Sequence, residues 1–327
     1  MSEQRWGLVL GAGGVLGASW TIGALTALQD VYGVDARHAE VLVGTSAGSV
    51  LAAALGCGVG VDSLLAHQRG AAAADGDPVF DYDLDHDSGG ALPPLPRPGI
   101  HSARGVVRTA LRPRRVPPMA ALSTVLPKGR GSLDPVGRLV DGICPAGAWA
   151  GHHATWIVTT DVDSGRRVVF GRDGAPHASL RAAVMASCAI PGWYAPVVIG
   201  GRRYVDGGTC SPTSVDVVRP LGLDRVFVLS PMTSLHYDHP GTVAGRLERR
   251  FRRLTTRRVV REVKKVAAAG TEVVWLGPTA DDLAAIGANL MDARRRVDVL
   301  ETSLRTSAEA LRAARGRGPR SGLAAAG

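Results

Sequence analysis

The residues with the most chemistry in this sequence are a serine held between two glycines, directly after three apolar β-formers. The stretch reads Val41-Leu42-Val43-Gly44-Thr45-Ser46-Ala47-Gly48, and a run of small residues, Val50 to Gly58, follows. G-x-S-x-G between a buried strand and a helix is a nucleophile elbow: the tight turn strains the serine and lifts its Oγ clear. A side chain at either glycine would collide with neighbouring backbone. The following helix directs its positive N-terminal end at any negative charge that develops on the serine. From the motif alone, a tight Gly/Ser turn in a buried βα unit explains the same residues.

A nucleophile of this kind needs a place for the oxyanion and a base. Leu8-Val9-Leu10-Gly11-Ala12-Gly13-Gly14-Val15-Leu16-Gly17 is a second glycine-rich turn after a strand. Such turns bind phosphates, so dinucleotide binding is the first alternative. It fails on the residues. G-x-G-x-x-G from Gly11 puts Leu16 in the sixth place, starting at Ala12 loses the first glycine, and the next strand ends in Gly44-Thr45-Ser46 with no acid for a ribose. The remaining reading is that Gly13 and Gly14 N–H groups form an oxyanion hole, worth roughly 3 kcal/mol per donor. Of the nine histidines, His236 and His239 come closest to a strand-end turn, yet neither is placed convincingly for a Ser-Asp-His order. Asp206 fits the base better. It ends the short strand Arg202-Arg203-Tyr204-Val205, and Gly207 and Gly208 behind it allow close backbone approach. From those residues alone, an Asp-Gly turn serves equally well.

Together the pieces resemble the patatin-like phospholipases, acyl hydrolases with a Ser-Asp dyad and no histidine. Gly11–Gly17, Gly44–Gly48 and Asp206–Gly208 follow the family's order, and Ala186-Ser187-Cys188-Ala189-Ile190-Pro191 is similar to the segment before its catalytic aspartate. The resemblance covers roughly residues 6–231. It implies Ser46 as nucleophile, Asp206 as general base, Gly13 and Gly14 as oxyanion donors, and Gly11, Gly17, Gly44, Gly48, Gly207 and Gly208 as motif glycines. It further implies an acyl-enzyme, lipid or other acyl esters as substrates, and neither cofactor nor metal. The loop departs from the family pattern at Ala12 and at Leu16, where the family carries a basic residue. Acyl transfer, thioester hydrolysis and an inactive lipid-binding role are the alternatives.

The elements that must position these residues are strand–turn–helix units. Strands are expected near 6–11, 41–44, 154–162, 165–171, 202–206, 224–230 and 272–276, the third and fourth as a hairpin. Helices are expected over 17–31, 47–55, 101–111, 117–126, 134–141, 179–190 and 289–314. This pattern predicts a three-layer α/β/α domain of patatin-like fold with a mainly parallel central sheet and a helical C-terminal part. Residues 1–231 form the catalytic unit in this reading, 232–314 a basic and amphipathic extension with one sheet strand packed on the same domain, and 315–327 a disordered tail. Residues 70–98 read as a loop that would suit an active-site cover. Its alternating Asp81, Asp83, Asp85 and Asp87 do not fit a calcium loop, because His86 stands at the glycine place.

Composition narrows the class. The 327 residues are 45% hydrophobic but only 5% aromatic, so Ala, Gly, Val and Leu must fill the core. The four cysteines, Cys57, Cys144, Cys188 and Cys210, lack metal spacing and read as free thiols in a reducing compartment; all but Cys144 have small or apolar neighbours. Without a signal-peptide pattern or a membrane-span-length apolar run, a cytoplasmic protein is expected, with peripheral contact at the inner membrane surface as an option. The net charge of +9 is concentrated in residues 246–265, which hold ten Arg/Lys against Glu248 and Glu262. Its apolar residues form two helical triplets, Leu247/Phe251/Leu254 and Val259/Val263/Val266, rotated about the axis with Thr255-Thr256 between them. A helix lying on anionic lipid and a helix packed on the core both fit. No aromatic platform accompanies the charge, which argues against nucleic acid.

Overall fold

The computed structural model describes residues 4–72, 76–78, 92, 94–95, 99, 102–111, 118–152, 154–235, 242–316 and 324–325. Strand β1 (Trp6–Leu10) lies in the middle of a nine-stranded sheet, flanked in parallel by β2 (Val41–Thr45) and β7 (Arg225–Leu229). On the β7 side the parallel run continues through β8 (Glu272–Leu276) to β9 (Ala324–Ala325). On the β2 side comes β3 (Thr155–Asp161), again parallel. These are near-continuous apolar runs, as strands covered on both faces must be.

The residues of β3 are shared in a way that makes the site. Ile157 and Val158 pair with β4 (Arg167–Phe170) and also with β2, so β2 and β4 occupy opposite edges. Thr159 and Thr160 pair with β4 and also with β6 (Arg202–Asp206), so β6 lies on the same edge as β2, antiparallel and just beyond its end. The short β5 (Val197–Ile199) completes a hairpin with β6. β3 and β4 form the expected antiparallel hairpin.

Two helical layers cover the sheet. Leu8, Leu10, Leu42, Ile157, Phe227 and Leu229 point to the face packed by α1 (Gly14–Tyr32), α2 (Ala47–Gly56), α3 (Val61–Gln68), α6 (Asp134–Ile143), α7 (Leu180–Ser187) and α10 (Arg296–Gly316). The other face is mostly valine: Val9, Val41, Val43, Val158, Val226 and Val228 meet Val259, Val263 and Val266 of α8 (Val243–Ala267). Small side chains do fill the core, as in α2, where Ala52, Ala53 and Ala54 are fully buried. Helices α4 (Ala103–Leu111), α5 (Pro118–Val125) and α9 (Ala280–Ile286) complete the set. Among the described residues, no helix is long and apolar enough to cross a membrane.

Several expectations shift. The first helix starts at Gly14, three residues early, because the Gly17 N–H already closes a turn onto the Gly13 carbonyl (2.9 Å). The last helix starts at Arg296, not 289. Gly287 (φ +70°) ends α9, and the chain to Asp292 turns in toward Gly14 instead of coiling. It also runs two residues further than expected, to Gly316, and residues 324–325 pair with β8. Helix α7 ends at Ser187, before Pro191. Cys144, the expected exception, is buried, whereas Cys57 and Cys188 are half-buried; all four thiols are free. The aspartate run 81–87 lies outside the described residues, as do His236 and His239.

Candidate active site

The two candidate reacting side chains meet because two strands end at neighbouring positions of β3. Thr45, the last residue of β2, pairs with Val158, and Asp206, the last of β6, pairs with Thr159. Ser46 is therefore delivered from one side and Asp206 from the other, and the Ser46 hydroxyl comes close enough to the Asp206 carboxylate to stabilise its charge.

The local backbone explains the glycines. Ser46 holds φ 54° and ψ −125°, a left-handed conformation that is costly for a residue with a Cβ, by roughly 1–3 kcal/mol. Its N–H donates to Ser187 Oγ (2.9 Å), whose own hydroxyl donates to the Val158 carbonyl (2.7 Å). The Ser46 carbonyl accepts from the Ser49 N–H and Oγ. Space does the rest. A Cβ at Gly44 would lie 2.4 Å from the Gly48 carbonyl oxygen, and one at Gly48 would lie 2.2 Å from that of Leu10. One at Gly207 would lie 2.5 Å from the Val158 carbonyl oxygen, so the two strand ends can touch only through glycine.

Asp206 is 6% exposed. Burial pushes its carboxyl up to about 6, against the opposing effects of the Ser46 hydroxyl and the Gly208 N–H, which donates to Oδ1 (2.7 Å). The carboxylate is thus a stronger base than a solvated aspartate yet still ionises at neutral pH. Beside it, burial and then the Asp206 charge push the Cys188 thiol up to about 12, so this cysteine stays protonated and unreactive.

The glycine-rich turn presents amides to the same spot. Gly11 N–H is used by the Leu229 carbonyl, Ala12 N–H by Pro212 and Leu16 N–H by Leu290 (3.0 Å). Between them, the N–H groups of Gly13, Gly14 and Val15 have no acceptor among the described residues, as expected at the first turn of a helix. Gly14 takes φ +60°, and Pro231 occupies the space a Cβ on Gly13 would need, its Cγ 2.6 Å away. Pro231 is itself fixed from α8, where the fully buried Arg252 donates to its carbonyl. Leu16, at the place of the family's basic residue, is fully buried, so no cation stands there.

Ser46, Gly14 and Val15 open onto a cavity of about 110 Å³. Its wall is mainly apolar, with Ile22, Leu51, Leu133, Leu139 and Ile190 among the lining residues. No histidine is among those residues. Such a space suits a hydrocarbon chain attached to a carbonyl held between Ser46 and the free amides.

The strand ends and the first turn of α1 bring Ser46, Asp206 and the Gly13 and Gly14 amides to one place. The sequence reading missed several others. Ser187 stands in the segment that resembles the family's, but nothing in that pattern announces its bridge from the Ser46 N–H to the Val158 carbonyl. Leu290 and Met291, from the turn before α10, reach Gly14, and Met291 also lines the cavity; nothing in their local pattern announces this. Gln68 lines the same cavity.

The patatin-like phospholipase family model matches residues 8–219, well over half of the chain. This protein belongs to the patatin-like phospholipase family. That membership makes it a lipid acyl hydrolase in general type.

Proposed function

We propose that this protein hydrolyses carboxylic esters of lipids through Ser46 and Asp206. The observation that carries this reading is the delivery of a strained serine and a buried carboxylate to neighbouring positions of β3, beside unengaged helix-terminal amides and an apolar cavity. Asp206 takes the proton from Ser46 Oγ as that oxygen attacks the ester carbonyl. The oxyanion is held by the Gly13 and Gly14 N–H groups, with the positive end of α1 behind them. As the C–O bond breaks, the departing alkoxide takes the proton from Asp206, leaving an acyl-serine. Asp206 then deprotonates a water, which attacks the acyl carbonyl; the Ser46 oxygen leaves and recovers its proton. Residues 1–231 supply the reacting groups in this reading, and 232–314 pack on the same domain and shape the amide turn.

A fluorophosphonate probe tests it directly. The wild-type protein is expected to be labelled and to hydrolyse short- and long-chain esters. Ser46→Ala should lose both properties, and Asp206→Asn should lose hydrolysis. An unlabelled wild type would make the protein a lipid binder, while labelling with turnover only in the presence of an alcohol or thiol would make it a transferase.

The exposed side of α8 supports a lipid surface as partner. Val259, Val263 and Val266 are buried against the sheet, but Val243, Leu247 and Leu254 are 81%, 69% and 62% exposed. Arg250, Arg257 and Arg261 share this outer side, and neither acidic residue of the helix does. Glu248 turns to Arg249 and Arg252, and Glu262 is buried with Arg258. The apolar end of α8 follows β7, so it lies at the sheet edge where β1 and β2 present the site. Cations around exposed aliphatic side chains match an anionic bilayer. The protein should float with phosphatidylglycerol vesicles and not with phosphatidylcholine. Leu247→Asp/Leu254→Asp should abolish flotation, and persistence would exclude this surface.

A further inference from the structure

Besides Ser46, Ser132, Cys188 and Tyr194, the mainly apolar wall of the cavity includes one carboxamide. Gln68, the last residue of α3, lines it and is 3% exposed. Its Oε1 accepts from Ser19 Oγ (2.8 Å), and Nε2 has no acceptor among the described residues. Turning the amide over changes little. Ser19 Oγ also lies 3.3 Å from the Val15 carbonyl, so it could donate there and accept from Nε2, leaving Oε1 without a partner. In either orientation one polar atom of the amide has no protein partner and is left to the cavity, where water can bond it and an alkyl chain that displaces the water cannot.

The position along the pocket is defined by α1. Gly14, Ala18 and Ile22 lie on one face of this helix, and the cavity follows them away from the amide end. Ser19, which holds Gln68, is five residues beyond Gly14, or about 7 Å along the axis at the usual helical rise. An acyl carbonyl at Gly13 and Gly14 would therefore bring the middle of its chain, not its first carbons, to Gln68.

We propose that Gln68 selects acyl groups carrying a hydroxyl in mid-chain over plain alkyl chains of the same length. A hydroxyl both donates and accepts, so it satisfies the amide in either orientation. This rests on the cavity being the acyl site of the hydrolase described above. The test uses octanoyl esters and free octanoic acids in which a single hydroxyl is moved along the chain. For the wild-type protein, kcat/KM should peak at one mid-chain position, roughly five- to twentyfold above plain octanoyl, as one added hydrogen bond allows. Gln68→Leu should flatten the profile, and Gln68→Met should do the same if leucine disturbs folding. Binding of the free acids to the Ser46→Ala protein, read by calorimetry, should show the same peak without any turnover. A flat wild-type profile in both assays, or a peak that survives in both variants, overturns the assignment. Selective binding by a protein that hydrolyses none of the esters would instead overturn the hydrolase reading and leave that of Gln68 standing.

Discussion

Two serines adopt left-handed backbone here, Ser46 (φ 54°) and Ser214 (φ 55°), and each has a buried carboxylate of raised pKa close by. Only the first pair has the surroundings that the proposed reaction needs. At the second place, burial and then the charge of Asp216 push Glu262 up, but both its oxygens are occupied: Oε2 by the hydroxyls of Ser211 and Thr213, Oε1 by the Arg258 guanidinium. Ser214 hangs from the same cluster, its N–H donating to Ser211 Oγ, and its own Oγ is buried with no partner among the described residues. Backbone strain and a buried acid therefore do not make a nucleophile. What separates Ser46 is a neighbouring cavity, amides without acceptors among the described residues, and a carboxylate whose charge its hydroxyl stabilises. The Glu262 cluster has a different task. It holds the chain after Asp206, whose Pro212 carbonyl accepts the Ala12 N–H, so α8 braces the amide turn from behind.

Exchanging the two serines for alanine should break this comparison most visibly. Ser46→Ala is expected to lower ester hydrolysis by roughly a thousandfold or more. Ser214→Ala should leave turnover within about twofold and change stability by no more than about 1 kcal/mol, because it removes an unsatisfied hydroxyl. Equal losses in the two variants would mean that strain itself is the working feature.

Next in size is the pH dependence. Asp206 must be ionised to act, so kcat/KM should rise with pH through an acid limb near 6, and Glu262→Gln should leave that limb in place. The stability contribution runs the opposite way. A carboxyl raised from 3.8 to about 6 favours the protonated folded state, so its contribution is complete below about 3.8 and is lost as pH rises through 6. Denaturation of Asp206→Asn across this range should lack that slope. An acid limb near 4 would indicate a solvated base.

Glu262→Gln is expected to act on stability rather than on the chemistry, by about 1–2 kcal/mol from a weakened Arg258 contact and altered acceptors. If it also slows turnover without moving the acid limb, bracing of the amide turn is the cause.

Much of this was legible in the sequence, for local reasons. Gly44-Thr45-Ser46-Ala47-Gly48 and Asp206-Gly207-Gly208 mark places where no Cβ fits, and such constraints leave their mark residue by residue. Strand β8 was readable to the residue because Glu272–Leu276 is a β-forming run with clear ends. The misses came where distant chain decides. Residues 289–295 carry helical spacing, yet a left-handed Gly287 and the docking of Leu290 on Leu16 turn the chain so that Met291 joins the wall of the cavity. The first apolar triplet of α8 has the spacing of a core face, but the sheet meets only the second. Gln68 gave no signal because a single amide on a short helix becomes informative only when its surroundings are known.

The turn around Leu290 and Met291 has a consequence for how this enzyme could be divided. The matched segment ends at residue 219, but the carbonyl that fixes Leu16 and the sulfur that abuts Gly14 arrive some seventy residues later. Helix α10 then clamps α1 so closely that a methyl at Gly23 would lie 2.8 Å from Ser303 Cβ. A shortened protein ending after β7 would keep every motif residue and lose the scaffold that aims its amides. A catalytic unit working as proposed would thus have to extend beyond the signature by which the family is recognised.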